Sequence, residues 1–490
     1  MNIQMKKIYL TLLSLLALAT TACNDFLDVR PKGEKVENDQ FETAKGFEDA
    51  IYGVYGSMTD KALYGMDMVW GIPEILGQNL RCDATDTHNL ARYKYTDNKD
   101  LKARFSKMWS KGYETIGYAN NVLQNLDKKD PAEFPLYKAY RAEMLGVRAM
   151  MHFDLLRLFA PVDRSKRGIP YVKTFNFSVK PFSTVGECLD FIIGDLTEAE
   201  GLLKDMETMA YPRDNGQYER FCRWRESHIN YYAVQALLAR VYWYMGNNAK
   251  AAEYAEKVIN SNLFPLVDVT EVQNRIAGVL SPKETIFGLY SQQYLEWSST
   301  YLYTWQSYVS YIAYDNSGGT NYLMPWSALY ALDLAGTEQD FRKNHFRVES
   351  SLAKCLKMVD YPTIENNNVS TRPELISGIS LINVSELYLI AADALLSTNY
   401  DMALKYFNDE IRSRGLSPLI AGQTLTSERI FNEYRKETFC EGLHWFNMKR
   451  LNRDILSNAE SRTIPANDDI YVLPIPEEEM EYRPEANNNQ

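Results

Sequence analysis

From about residue 41 to 262, and again from about 380 to 453, apolar positions recur three and four apart. That period places them on one face of an α-helix. The pattern is sharpest between Asn230 and Asn260. Ala233, Ala236, Leu237, Arg240, Val241 and Tyr244 share a face of a first helix. Gly246-Asn247-Asn248 breaks the period, and Gly and Asn tolerate the left-handed backbone on which a helix stops. Ala251, Ala255, Val258 and Ile259 then make a narrow face of small residues on a second helix.

The unit recurs. Tyr388 to Ala394, then Asn399-Tyr400, Ala403 and Phe407, repeats the internal spacing: Ala239 to Ala251 and Ala391 to Ala403 are both twelve apart. This matches a tetratricopeptide (TPR) helix pair. Such a hairpin buries its face only against stacked neighbours. The expected fold is therefore mainly α, a TPR-like helical hairpin scaffold. Two ordinary hairpins in a larger α-fold are the plainer alternative.

Other helices are expected from Phe41-Glu42-Thr43 through Tyr55, over Leu101–Leu126, and between Pro135 and Pro161. Ser183-Thr184 starts another with a capping side chain, and it runs to about Leu203. Leu425–Arg450 reads as one helix or two, while Gly77–Asp100 and Tyr211–Glu226 read as loops. From 263 to 379 the period weakens, predicting an irregular, loop-rich insertion. Between Tyr290 and Tyr330 there are nine Tyr and three Trp in 41 residues, where the chain-wide 13% would give about five. The tail, 454–490, carries Leu473-Pro474-Ile475-Pro476, held extended by its prolines, and then polar residues expected to be disordered.

Composition narrows the function. The 490 residues are 46% apolar and 24% charged, ordinary for a globular protein. A net charge of −11 argues against a nucleic-acid partner, which needs basic stripes. Thirty-four tyrosines suit surfaces that grasp hydroxylated ligands. The six cysteines form no CxxC and no zinc spacing, and read mostly as buried small hydrophobes. HExxH, GxSxG and Walker motifs are absent, and no metal site or cofactor is expected; paired catalytic carboxylates, which need only spatial proximity, stay open at this point. Ser351 and Lys354 fit SxxK without its companion motifs, and Asp315–Gly319 resembles a calcium loop without its closing Glu. His152, in an apolar helix, reads as a core histidine.

At the N-terminus, Lys6-Lys7 precedes Ile8–Ala19, an apolar run too short to span a membrane. Thr20-Thr21-Ala22-Cys23 resembles a bacterial lipobox. The expectation is a lipoprotein signal peptide over 1–22, lipidation at Cys23, and a tether over 23–40 broken by Pro31 and Gly33. Plain secretory cleavage is the alternative.

Six segments then point one way. Cys23–Asp28 resembles the mature start of SusD/RagB-like lipoproteins. Arg141–Ala149 through Asp154–Phe159 is similar to their long helix with paired arginines, and Gly168–Tyr171 to the segment after it. Ser385–Ala394 with Ile411–Arg414 resembles a late TPR helix and its end. Glu433–Gly442 with Trp445, Phe446 and Arg450 resembles the C-terminal helix, and Leu473–Glu479 the closing segment. The order matches across essentially the whole mature chain, making 41–490 one SusD-like domain.

The resemblance implies a non-catalytic protein on the extracellular face of the outer membrane in Bacteroidetes. It implies a lid over a SusC-like TonB-dependent transporter that captures nutrients, usually oligosaccharides. By position it implies ligand contacts from Asp83, Asp86, His88 and Asn89 in the first loop, and from Trp297, Tyr301, Trp305 and Tyr322 in the aromatic one. Tyr and Trp planes cover the C–H face of a sugar while Asp, Asn and His bond its hydroxyls. His88 stands where an aromatic is often found, which argues against a starch-like helical glucan. These aromatics as core or interface residues are the plainer reading. A lipid-anchored glycoside hydrolase, a peptide binder and a structural lid without glycan affinity are the competing functions.

Overall fold

Side chains fix where the helices begin. The computed structural model describes residues 40–80, 85–204, 206, 220–269, 283–304, 310–311, 329–330, 339–349, 352–357, 378–457, 460 and 462–481. Cys23, the leader, the Asp315 loop and the start of the Tyr211 segment lie outside them. The chain divides between Phe47 and Glu48. Before the division, Phe41 packs on Phe47 at 5.0 Å between ring centroids. The part from Glu48 on holds the helical stack.

The first helices in order are α1 (Ala44–Met58), α2 (Ile72–Leu76), α3 (Thr85–Ala91), α4 (Lys99–Leu126), α5 (Tyr137–Phe159) and α6 (Val185–Leu203). Thr184 caps α6 as expected: its hydroxyl accepts from Glu187 N (3.2 Å), and the Glu187 carboxylate accepts from Thr184 N (2.8 Å). The first repeat is α7 (Tyr231–Tyr244) and α8 (Asn248–Ile259). The second is α10 (Val384–Leu395) and α11 (Tyr400–Ser413), with α9 (Gln292–Ser298) between the repeats. Asn247 and Asn399 occupy the same place in the two repeats. Each accepts from the backbone N–H three residues on, at 3.2 and 3.3 Å, and so starts the second helix of its pair. Gly246 turns the first pair with φ +75°.

Each scaffold helix packs on the next, α4 on α5, α5 on α6, α6 on α7 and α7 on α8. The stack then continues from α8 directly onto α10, and from α10 onto α11. The insertion is thus looped out of a continuous pile of hairpins. Ala239, Ala251, Ala391 and Ala403 are all fully buried, so the small-residue register marks where helix axes meet. Buried ion pairs staple the stack. Arg148 on α5 binds Asp195 on α6 through two bonds of 2.7 Å and Asn120 on α4 at 2.9 Å. Arg240 on α7 binds Glu386 on α10 (Nε to Oε1, 3.0 Å), joining the repeats. His152 is a core histidine: Nδ1 donates to Arg148 O, Nε2 accepts from Val172 N, and burial pushes its pKa down to about 3.

The insertion holds strands where the helical period is weak. β1 (Thr285–Tyr290) runs antiparallel to β5 (Gly378–Asn383), from Thr285 opposite Asn383 to Tyr290 opposite Gly378. This ladder closes the insertion at its base. Within it, β4 (Leu352–Cys355) pairs with β2 (Ser310–Tyr311) and β3 (Phe346–Glu349). Leu425–Arg450 resolves into two helices, α12 (Ser427–Glu437) and α13 (His444–Arg450). Gly442, at φ +74°, turns between them, where a Cβ would stand 2.5 Å from Val69 O. The tail forms β6 (Ile455–Ser457), β7 (Arg462–Ile464) and α14 (Asp468–Tyr471). Its polar end, expected to be disordered, makes one more turn, α15 (Glu477–Glu481), with Glu477 paired to Lys102 at 2.8 Å.

The first predicted loop is corrected too. Gly77–Asp100 contains α3, because Leu90 is fully buried and Tyr93 anchors the chain just beyond the helix. The Tyr93 hydroxyl donates to Leu76 O at 2.8 Å and its ring stacks on Trp445 at 6.1 Å. The described end of the Tyr211 segment carries two short 3-10 turns, Arg220–Cys222 and Arg225–Ser227. Cys188, Cys222, Cys355 and Cys440 are buried, as expected.

Candidate functional site

After α1 the chain makes a compact turn. Asp60 accepts from Ala62 N through its carboxylate (2.8 Å) and from Gly65 N through its carbonyl (3.1 Å). A π-helical turn over Asp67–Gly71 follows, held to α4 by an Asp67–Arg104 ion pair. Facing it, α9 runs on into a second π-helical turn, Ser299–Thr304. Such turns are rare and concentrate at functional sites. Here they bring two tryptophans and a tyrosine to one place.

Trp297 and Tyr301 are four residues apart on a continuous helical path, so they share a side. Trp297 rests against Gly65, where a Cβ would stand 2.7 Å from its Cζ3. Only glycine admits that approach. The Tyr301 ring lies 6.2 Å from the fully buried Trp70 ring, and Lys61 Nζ donates to the Tyr301 hydroxyl at 2.6 Å. Lys61 Nζ also stands 4.3 Å from the centre of that ring, where the quadrupole favours a cation. Trp297, Tyr301 and Lys61 are each half-buried. They are rigidly backed yet wet, the form that lets a plane take a sugar's apolar face while a nearby cation bonds a hydroxyl.

The other nominees fall elsewhere. His88 is exposed and Asn89 half-buried on α3, and Asn89 O accepts from Arg92 N and Lys94 N. Asp86 also lies on α3. Asp83, Trp305 and Tyr322 lie outside the described residues. The structure therefore brings together Trp297 and Tyr301, and sets the described first-loop nominees on a separate helix. Not every insertion aromatic faces out: Tyr294 and Tyr330 are fully buried, and the Tyr330 hydroxyl donates to Lys436 O. Lys61 and Gly65 were missed, since nothing in the period of 59–71 marks a lysine or glycine that meets a helix some 230 residues later.

Beneath the site, α2 ties the turn to the C-terminal helices. Glu74 is buried, accepting from Gly442 N (2.8 Å) and Asn79 Nδ2 (2.9 Å), and burial pushes its pKa up to about 7. Among the described residues, no group of three His, Cys, Asp or Glu is placed to hold a metal.

Residues 25–243 match a SusD-like family model described as starch-binding associating with outer membrane. SusD-like protein P2 of Formosa agariphila is 26% identical, with 97% of each chain covered. By these matches the chain is similar to SusD-like proteins. A SusD superfamily protein of Bacteroides vulgatus superposes with a TM-score of 0.70 at 21% identity, covering 90% of this chain and 98% of that one. A laminarin-binding SusD-like protein superposes at 0.63 and 16% identity, covering 90% and 97%. These two likenesses establish the SusD fold. SusD-like proteins bind carbohydrate, are associated with the outer membrane at the cell surface, and are not catalytic. Among the described residues of this chain no helix is long and apolar enough to cross a membrane.

Proposed function

We propose that this SusD-like protein captures an oligosaccharide at the cell surface and acts as the lid of a SusC-like TonB-dependent transporter. In this reading residues 1–22 are a lipoprotein signal peptide, Cys23 carries the lipid, 23–40 is the tether, and 41–490 is the binding body. The observation that carries the glycan reading is the Trp297–Tyr301 face, half-buried and backed by Gly65, Trp70 and Lys61. The family description and the laminarin binder's name support the ligand class. Trp305, Tyr322, Asp83, Asp86, His88 and Asn89 remain the nominees for the rest of the groove.

Calorimetric titration of the mature chain with a panel including laminarin and starch oligosaccharides tests the reading. One glycan should bind, and Trp297→Ala should weaken it about tenfold, the equivalent of ~1.4 kcal/mol. Heat from none of the panel, or binding untouched by Trp297→Ala with Tyr301→Ala, sinks it. Co-purification of a TonB-dependent transporter with the tagged chain, and its loss on Cys23→Ala, tests partner and anchor separately.

A further inference from the structure

Between α5 and α6 the chain throws out a loop. Gly168 N donates to Ser183 O at 2.8 Å and Ser183 N to Ile169 O at 3.2 Å, which closes residues 170–182 at their base. Phe175 N donates to Gln124 Oε1 on α4 at 3.3 Å, and Asn176 Oδ1 accepts from Ser178 N at 3.0 Å where the chain bends. Phe177 is wholly exposed at this bend, with Phe175 and Val179 40% and 60% exposed on either side of it. Among the described residues, every other five-residue stretch exposes one large apolar side chain at most. Single exposed side chains are ordinary on a protein surface, but three on one held tip are not.

The charge around the tip is as lopsided as its apolarity. From Arg164 to Phe182 there are five Lys and Arg and no Asp or Glu, on a chain of net −11. Arg164 is neutralised by Asp190 at 2.8 Å. Lys166, Arg167 and Lys173 stay exposed. Arg167 lies over the Phe182 ring at 5.3 Å, and Lys173 over the Phe191 ring of α6 at 4.1 Å. An aromatic face holds a cation without cancelling its charge. A groove in another protein would have to match the shape of this tip. A bilayer needs no such match: its acyl boundary accepts any apolar tip, and its phosphates meet the cations behind it.

We infer that residues 170–182 make a membrane contact of their own. The Phe175–Val179 tip enters the headgroup layer of an anionic, phosphate-bearing lipid surface, and Lys166, Arg167 and Lys173 face the phosphates. The inference rests on the cell-surface reading above, but on neither the lipid at Cys23 nor the glycan face.

Flotation of the full mature chain with lipid vesicles tests it, using Cys23→Ala so that no acyl chain contributes. Vesicles of phosphatidylethanolamine with phosphatidylglycerol should bind at least about tenfold tighter than vesicles of phosphatidylcholine alone. Phe177→Ser, at a position with nothing packed on it, should weaken that binding about tenfold without unfolding the protein. Lys166→Gln with Lys173→Gln should remove the preference for the anionic vesicles, and added salt should weaken it. In Phe177→Trp the added indole should shift its emission to the blue when the anionic vesicles are present. The inference fails if those vesicles do not bind, if neutral vesicles bind as tightly, or if Phe177→Ser floats like its parent. Loss of a co-purifying transporter on Phe177→Ser, without any vesicle binding, assigns the tip to a protein partner and also overturns it. Failure on any of these counts leaves the anchor at Cys23 standing, because the tested chain carries none.

Discussion

Trp243 stands in the repeat scaffold, 4% exposed, its indole bonded to Asp393 and its face covered by Arg450. Trp297 stands in the insertion, half-buried, with a glycine behind it. In the scaffold every partner comes from a helix of the same stack, and the aromatic group is consumed by the fold. In the insertion the support comes from a turn some 230 residues earlier, and part of the ring stays exposed to solvent. Side-chain chemistry alone does not tell a core tryptophan from a binding one. What separates them is whether the backing is complete, and that depends on topology.

The largest expected effect breaks the scaffold side of this contrast. Arg240→Met leaves Glu386 buried and uncompensated, with only the Tyr434 hydroxyl (3.0 Å) still bonded to it among the described residues. Removing one partner of a buried pair costs about 3–5 kcal/mol, so thermal or urea unfolding should shift strongly. Adding Glu386→Leu should recover only part of the loss, because Tyr434 then has no acceptor. If the single variant melts within a degree of the parent, the repeats are not joined through this pair.

Glu74 sharpens the contrast at the joint between the regions. Folded, it holds its proton up to about pH 7, whereas its ordinary value is 4.5. Between those values the folded chain binds more protons than the unfolded one. This contribution is therefore fully present below pH 4.5 and lost as pH rises through 7, by ~3 kcal/mol in all. Buried His152, His228 and His444, with pKa values pushed down, work the opposite way below about pH 6.5. The difference between parent and Glu74→Gln isolates the carboxyl: the variant should gain on the parent from pH 5 to pH 8. A constant difference across that range refutes the assignment.

A smaller effect comes from overfilling the repeat. Ala403 is fully buried where α11 meets α10. Ala403→Leu forces the helices apart at a cost of about 1–3 kcal/mol by denaturant unfolding. The same change at the exposed Ala249 should cost nothing measurable, and equal costs at both would deny the small-residue register any role.

That register is what the sequence displays best. Asn247 and Asn399, with the four alanines twelve apart in pairs, recur because every such hairpin solves one local problem, stopping a helix and bringing a second close. The Arg240–Glu386 pair has no period to betray it, since its ends are 146 residues apart. β1 and β5 are six-residue apolar runs that pair across the whole insertion, and each is too short to announce itself alone. α3 was hidden by its polar sequence, TDTHNLA, with Leu90 as its buried anchor. The candidate site was visible in part. An excess of Tyr and Trp marked the segment that holds Trp297 and Tyr301, but only contact with Lys61 and Gly65 separates these two from the buried Tyr294 and Tyr330.

The smallest expected change in stability comes from the same contrast. Trp297→Ala removes a ring that is half in water and supported on one side. A fully buried tryptophan costs about 3–5 kcal/mol on truncation. Half that burial, with solvent free to fill the gap beside Gly65, leaves at most about 1–2 kcal/mol. Trp243→Ala should reach the full cost, since its removal also strips Asp393 of a donor and Arg450 of its platform. Unfolding the two variants side by side puts a number on the difference between a ring the fold uses and a ring the fold presents. Equal losses would mean that Trp297 is core, and the glycan face would have to be sought elsewhere in the insertion.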